Sequence, residues 1–303
     1  MSLLAMFKSA GPTGFGYGST AEQVTEGLSL GGQTILVTGC NSGIGQETCR
    51  VLALRGALVL GTARTKEKAA AACATLPGKA VGYSCELSDP SSVRGCVAAV
   101  KADGHRLDAI ICNAGIMMLP KLEKSHGYEL QFFTNHVGHF LLVTLLLDRL
   151  APQGRVVMVS SNAHRRAPRE GIQFDNLSGE VGYDPFRMYG QSKLANLLFS
   201  SELARRLPQG QSSNALHPGV IATTLGRSLP IWAQTGLRVL TPLALKSPAQ
   251  GAATQCYVAV HPGMQSTGRY FIDCNVATPS AHGSDPELAH RLWETTQRIV
   301  AGL

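Results

Sequence analysis

Apolar residues along this chain follow two alternating rhythms. Short β-branched runs are separated by longer stretches in which apolar side chains return every three or four positions. The short runs predict strands over Thr34–Val37, Ala57–Gly61, Ala80–Cys85, Leu107–Cys112, Arg155–Ser160, Ser213–His217 and Gly268–Ile272. The longer stretches predict helices over Gly43–Leu54, Lys66–Thr75, Pro90–Ala102, Tyr128–Leu150, Pro185–Leu207, Pro248–Ala259 and Pro286–Val300. Such alternation indicates the α/β class, a doubly wound parallel sheet with helices on both faces. A glycine-rich arm through about residue 18 and a short helix starting near Ser19 come first, so residues 1–28 read as an arm and 29–303 as one domain. The longest irregular stretches, Asn162–Tyr183 and Pro218 to about Leu229, lie just beyond predicted strand ends. Open α/β sheets bind their ligands there.

Composition narrows the class. With 303 residues, 44% of them hydrophobic, the chain can bury the core of a single large domain. No unbroken apolar run approaches the ~18 residues that span a bilayer, which reads as a soluble protein. The formal charge of +7 invites a nucleic-acid partner. The basic residues are scattered, however, with small clusters such as Arg165, Arg166 and Arg169, and no nucleic-acid motif accompanies them. Dispersed, solvated side chains account for the charge better, and we expect no nucleic-acid binding. The eight cysteines (Cys40, Cys49, Cys73, Cys85, Cys96, Cys112, Cys256, Cys274) form no C-x-x-C pair and no zinc spacing, and read as reduced thiols in a reducing compartment. Met1–Gly27 lacks the plan of a secretory signal, and its few acids and its Ser and Thr are compatible with organelle targeting.

Candidate chemistry begins at Thr38-Gly39-Cys40-Asn41-Ser42-Gly43-Ile44-Gly45, which follows the first strand and opens a helix. Backbone N–H groups and a helix N-terminus there can face a pyrophosphate. The spacing differs from G-x-G-x-x-G, and a plain tight turn is the alternative. The second strand ends in Gly61-Thr62-Ala63-Arg64, where an acid would favour NAD and an Arg accommodates the 2′-phosphate of NADP(H). A solvated Arg at a helix start is the bland reading. Asn113-Ala114-Gly115 offers small residues at the fourth strand end, and Asn135 interrupts an apolar helix face, as a relay anchor or a satisfied core amide. Ser160 and Ser161 end the fifth strand, and Tyr189 and Lys193 stand four apart on one helix, which brings an ammonium beside a phenol. That pairing moves a phenol of pKa about 10 toward neutral pH. Pro218, Gly219, Ile221 and Thr223 follow the sixth strand, where Thr223 can reach a cofactor amide or phosphate. His136 and His139 share a helix face without a third ligand, so no metal site is expected.

In this order, these residues resemble the short-chain dehydrogenase/reductase superfamily from about Gly32 to Ile272. The resemblance implies a seven-stranded parallel sheet and a catalytic tetrad of Asn135, Ser161, Tyr189 and Lys193. It makes Tyr189 the acid/base, gives Ser161 the substrate oxygen, Lys193 the nicotinamide ribose and Asn135 a relay water. It also implies a cofactor site of Gly39, Asn41, Ser42, Gly43, Ile44, Gly45, Arg64, Glu86, Leu87, Asn113, Ala114, Gly115, Tyr189, Lys193, Pro218, Gly219, Ile221 and Thr223. Two positions depart from the family pattern: Glu86 stands for the usual adenine-contacting Asp, and Cys112 replaces the first Asn of Asn-Asn-Ala-Gly. Asn135–Phe140, Ser192–Asn196 and Leu216–Gly219 are similar to the retinol-dehydrogenase-like group. The opening Gly11–Gly16 and Ser19–Glu22 are closer to plant and algal members, among them those associated with the chloroplast inner-envelope translocon. This implies a chloroplast location, the cytoplasm being the alternative.

The expectation is an NADP(H)-dependent oxidoreductase that interconverts an apolar carbonyl and an alcohol, with a substrate lid over about 224–246 rich in Leu, Ile, Val and Trp. Packing of that lid onto its own domain, or contact with a membrane surface, are alternatives. The contrasting function is an NADPH-binding, redox-sensing interaction protein of the import machinery with little turnover. Its docking element would be the last helix, with Arg291, Leu292, Trp293, Arg298, Ile299 and Val300, offered to a partner such as calmodulin. Packing of that helix on the domain is the weightier reading, because Glu287 and Glu294 dilute its basic character.

Overall fold

The computed structural model describes residues 9–221 and 245–303. Its sheet has the strands β1 (Thr34–Thr38), β2 (Leu58–Ala63), β3 (Ala80–Ser84), β4 (Leu107–Cys112), β5 (Leu150–Val159), β6 (Ser212–His217), β7 (Tyr270–Ile272) and β8 (Asn275–Ala277), in the order β8-β7-β6-β5-β4-β1-β2-β3. β1 through β7 are parallel, with Thr38 opposite Thr62 and Ala109 opposite Arg155. The seven-stranded expectation is corrected to eight, because β8 returns antiparallel along β7, with Val276 opposite Phe271. Asp273 and Cys274 both hold positive φ, 52° and 64°, which closes a two-residue hairpin. Neither is a glycine or an asparagine, so the turn carried no signature. β5 also starts earlier than Arg155, at Leu150, and its register against β4 shifts between Leu107 and Ala109.

After the expected short helix, Ala21–Val24, capped by Thr20, the main helices are α1 (Gly43–Leu54), α2 (Lys66–Ala74), α3 (Pro90–Ala102), α4 (Leu130–Leu146), α5 (Pro185–Arg206), α6 (Pro248–Val260) and α7 (Pro286–Ala301). Four of them begin with an Asp or Ser followed by Pro. Asp89, Asp184, Ser247 and Asp285 each accept backbone N–H groups of the first turn, while Pro supplies a preset φ where no donor is needed. Successive strand residues feed opposite layers. Ile35, Val37, Ala109, Ile111, Val157 and Val159 pack with α1, α2 and α6, and Leu36, Ile110, Cys112, Val156 and Met158 pack with α3, α4 and α5. This is why the strands read as continuous apolar runs.

α4 is one helix interrupted by a π-helical stretch, Phe133–Val137. Leu130–Arg149 is long and apolar enough by composition to cross a membrane, yet most of it is buried inside the protein. α7 turns Ala289, Leu292, Trp293, Thr296 and Ile299 inward, and Trp293 stacks on Phe199 and meets Phe140 edge to face. The apolar side of that helix is thus spent on the domain. At the other end of the chain, the arm lies on the β7–β8 hairpin. Thr13 N and Oγ1 donate to Asn275 Oδ1, and Asn275 Nδ2 donates to Phe15 O. Phe15 meets Tyr257 and His261 edge to face, and Ala21 and Val24 are buried in the core. All eight cysteines are buried and free.

Candidate functional site

Strand order reverses between β1 and β4, and the candidate residues gather at the carboxyl ends of those strands and of β5 and β6. Gly39 and Gly43 hold φ of 74° and 58°, and Gly39 N and Cys40 N both donate to Thr62 O, which curls the turn toward β2. Gly45 must be glycine, because a Cβ there would lie 2.1 Å from Gly39 O and 2.4 Å from Asn113 Nδ2. Ser42 precedes α1 without a side-chain hydrogen bond to it, whereas Thr65, Asp89, Asp184, Ser247 and Asp285 cap their helices. The first N–H groups of α1 are therefore left for an anion, and the glycines clear the approach. This cradle fits the pyrophosphate of a dinucleotide.

The remaining residues read for the cofactor surround that turn. Asn41 and Ser42 are exposed, Ile44 packs on the core, and Arg64 is exposed at the end of β2, its guanidinium without a hydrogen bond or ion pair among the described residues. The Glu86 carboxylate is partly engaged, since Oε1 accepts from Ser88 Oγ at 2.9 Å and Ser88 N at 3.2 Å. Leu87 is buried beneath α4, where a Cβ on Gly138 would meet Leu87 O at 2.2 Å. Cys112 sits within the core, and Asn113 Nδ2 donates to Thr38 O at 2.8 Å. Gly219, at φ 97°, packs on the Lys246 stem. Lys246 N donates to Val220 O and Lys246 Nζ pairs with Asp273 at 2.6 Å, which pins Pro218–Ile221. Thr223, and the lid segment except Leu245 and Lys246, lie outside the described residues.

Four elements converge on the second half of the site. Lys193 is 4% exposed and donates from Nζ to Val159 O at 3.0 Å, with Nζ 5.7 Å from the Tyr189 ring centre. Burial of its ammonium holds its pKa down at about 8. Tyr189 is half-buried; burial pushes its phenol up to about 12, and a hydrogen bond from Ser161 pulls the other way. Ser160 is turned away, its hydroxyl donating to Lys193 O at 2.7 Å. Of the two serines, Ser161 is the one that meets Tyr189. Asn135 is fully buried. Its Oδ1 accepts from Ile116 N at 2.8 Å, and its Nδ2 donates to Ile116 O and Ser192 Oγ, both at 2.9 Å. Gly115 passes just above, since a Cβ there would be 2.9 Å from Asn135 Oδ1 and 3.4 Å from Lys193 Nζ.

Sequence reasoning missed the network that joins the two halves. Thr38 Oγ1 accepts from Asn113 N at 2.9 Å and Ala114 N at 3.0 Å, and lies 2.9 Å from His139 Nε2. His139 Nδ1 lies 2.8 Å from Asn135 O, a carbonyl, so Nδ1 carries the proton and Thr38 donates to Nε2. Burial keeps this ring neutral, with its pKa pushed down to about 4. The π-helical stretch shifts the backbone pairing, Gly138 N bonding Phe133 O. The two histidines that share a helix face have separate duties, for His136 Nε2 lies 2.9 Å from Thr296 Oγ1 on α7. Among the described residues no group of three His, Cys, Asp or Glu side chains is placed to hold a metal.

Known proteins share this plan. Residues 33–234 match the family model for short chain dehydrogenases. The chain is 40% identical to short-chain dehydrogenase TIC 32 B, chloroplastic, of Brassica napus, over 97% of both chains. It is 37% identical to human retinol dehydrogenase 13, over 90% of this chain and 86% of that one. Among solved structures, an uncharacterised protein from Mycobacterium paratuberculosis superposes with a TM-score of 0.75 at 32% identity, over 92% of this chain and 97% of that one. A short chain dehydrogenase from Burkholderia cenocepacia, solved in complex with NADP, gives 0.64 at 26% identity over 80% and 96%. With the glycine turn, the uncapped α1 and the Ser161, Tyr189 and Lys193 cluster on one sheet edge, the chain belongs to the short-chain dehydrogenase family of oxidoreductases.

Proposed function

We propose that this chain is an NADP(H)-dependent oxidoreductase that interconverts an apolar aldehyde or ketone and its alcohol. The observation that carries the reading is the convergence of Tyr189, with Ser161 interacting with its phenol, and the buried Lys193 ammonium, whose Nζ lies 5.7 Å from the Tyr189 ring centre. The α1 cradle of Gly39, Gly43 and Gly45 would hold NADPH, which would supply the hydride for the carbonyl carbon. Ser161 holds the carbonyl oxygen against Tyr189, and Tyr189 donates its phenolic proton to that oxygen. Lys193, charged below about pH 8, lowers the cost of the phenolate left behind and reaches the nicotinamide ribose. The Asn135 amide, bonded to Ile116 and Ser192, holds the strand-end loop, and we assign it the relay position as well. In oxidation the same residues act in reverse.

NADP(H) rather than NAD(H) is favoured by the exposed Arg64 at the end of β2, unpaired among the described residues, and by the NADP complex of the Burkholderia relative. The 2′-phosphate would lie at Arg64, the adenine beside Glu86 and Leu87, the pyrophosphate over Gly39–Gly45, the ribose near Gly115 and Lys193, and the amide along Pro218–Thr223. An apolar substrate is favoured by the composition of about 224–246, which we assign as the substrate lid of a 29–303 domain, and by the retinol dehydrogenase relatives. A chloroplast location is favoured by the Brassica relatives.

The test is NADPH oxidation by the purified chain with apolar aldehydes and ketones, retinal included, beside NADH and beside Tyr189→Phe. Turnover with NADPH that falls by about 10²-fold or more in the variant, with NADPH still bound, is the expected result. Tight NADPH binding without turnover on any carbonyl, the same in both proteins, would replace the enzyme by a nucleotide-responsive interaction protein.

A further inference from the structure

Ser161 sits on the short helical turn Asn162–Arg166, and one side chain of that turn is spent on holding it. His164 is 1% exposed. Its Nδ1 lies 2.7 Å from Ser161 O, and its Nε2 accepts from Ser280 N at 3.0 Å. The carbonyl demands a donor and the N–H demands an acceptor, so the ring is the neutral tautomer with its proton on Nδ1. The Ser280 end is itself fixed: Gly283 N donates to Ser280 Oγ, Arg165 donates to Thr278 O at 2.6 Å, and α7 follows. Tyr270 of β7 closes the other side, its ring edge-on to His164 at 5.2 Å between centres and its hydroxyl 3.3 Å from Asn162 Oδ1. The titratable or charged groups around the imidazole are Arg165 on its own turn, His217 on β6 and Tyr270 on β7.

We propose that His164 is a positioning residue: the Nδ1–H of its neutral imidazole holds the Ser161 carbonyl and so aims the Ser161 hydroxyl at Tyr189, while the bond from Ser280 N fixes the ring. This rests on the function proposed above and adds a residue to it. A neutral imidazole supplies one donor and one acceptor at opposite corners of a rigid ring, which the two partners require. Protonation would set a second N–H against Ser280 N–H, and burial holds the ring below its ordinary pKa, so the tie persists at neutral pH. The consequence reaches Tyr189, because the Ser161 bond is the contact that favours its ionised form.

Two substitutions separate the two ends of the ring. In His164→Asn the amide nitrogen takes the place of Nδ1 and keeps the bond to Ser161 O. In His164→Gln the amide oxygen takes the place of Nε2, keeps Ser280 N and loses Ser161 O. Kinetics in both directions, thermal unfolding and crystal structures would be measured for both variants. His164→Asn should keep kcat within about threefold, whereas His164→Gln should lose about tenfold to a hundredfold in kcat with KM for NADPH unchanged. In alcohol oxidation the acid limb assigned to Tyr189 should move to higher pH in His164→Gln alone. Equal losses in the two variants that track thermal stability, with an unmoved limb, would overturn the proposal. If the parent protein reduces no carbonyl, the proposed function fails, and the crystal structures decide this inference separately. A Ser161–Tyr189 contact kept in the Asn variant and lost in the Gln variant supports it, and a contact kept in both refutes it.

Discussion

The adenosine half of the site and the catalytic half lie on one sheet edge yet are made of different material. Around β1, α1 and β2 the working groups are backbone N–H donors exposed by glycines, and the Arg64 side chain at the end of β2 is exposed, without an ion pair among the described residues. Around β5 and α5 they are buried side chains, Asn135 and Lys193 above all, each bonded to carbonyls or amides of another element. A pyrophosphate needs many weak donors along a curve, which main chain provides. A proton transfer needs a few groups fixed in angle, which buried networks provide.

Substitutions should expose that difference. The largest effect is expected at Gly45→Val, whose Cβ would displace Gly39 O and Asn113; NADPH fluorescence should show no measurable binding. Next is Thr38→Val, which removes a hydroxyl shared by Asn113, Ala114 and His139 where the two halves meet; denaturant unfolding should show a loss of about 1–3 kcal/mol. Arg64→Gln should raise KM for NADPH about tenfold, near 1.4 kcal/mol, and leave kcat and the NADH constants alone. If kcat falls instead, the halves are not separable. The smallest effect concerns Lys193, whose pKa in the folded chain, about 8, lies below its ordinary value of 10.5. The folded state binds fewer protons over that interval, so the cost of burying the charge is full below pH 8 and disappears as pH rises to 10.5. The stability of the cofactor-free protein should therefore climb across that window, and Lys193→Met should flatten the climb.

The same contrast explains what the sequence made legible. The glycine turn, the helices with Asp-Pro or Ser-Pro starts and the Tyr189–Lys193 spacing are local, and local rules read them. β8 escaped because Asp273 and Cys274 make a turn usually given to Asn and Gly. The supports of the site escaped for another reason. Thr38, His139 and His164 matter through partners distant in the chain, such as Thr38 for Asn113 and His164 for Ser280, and no spacing records those meetings. The two histidines on α4 were visible as a pair, but which partner each ring faces is decided by the folded core.

The arm that lies on the β7–β8 hairpin gives the chain a timetable. Thr13 leaves the ribosome well ahead of Asn275, which accepts its two hydrogen bonds from 262 residues further along the chain. Until that hairpin has been made, Thr13 and Phe15 therefore have none of it to settle on. Docking of the arm becomes a late act of assembly, after the strands between have paired.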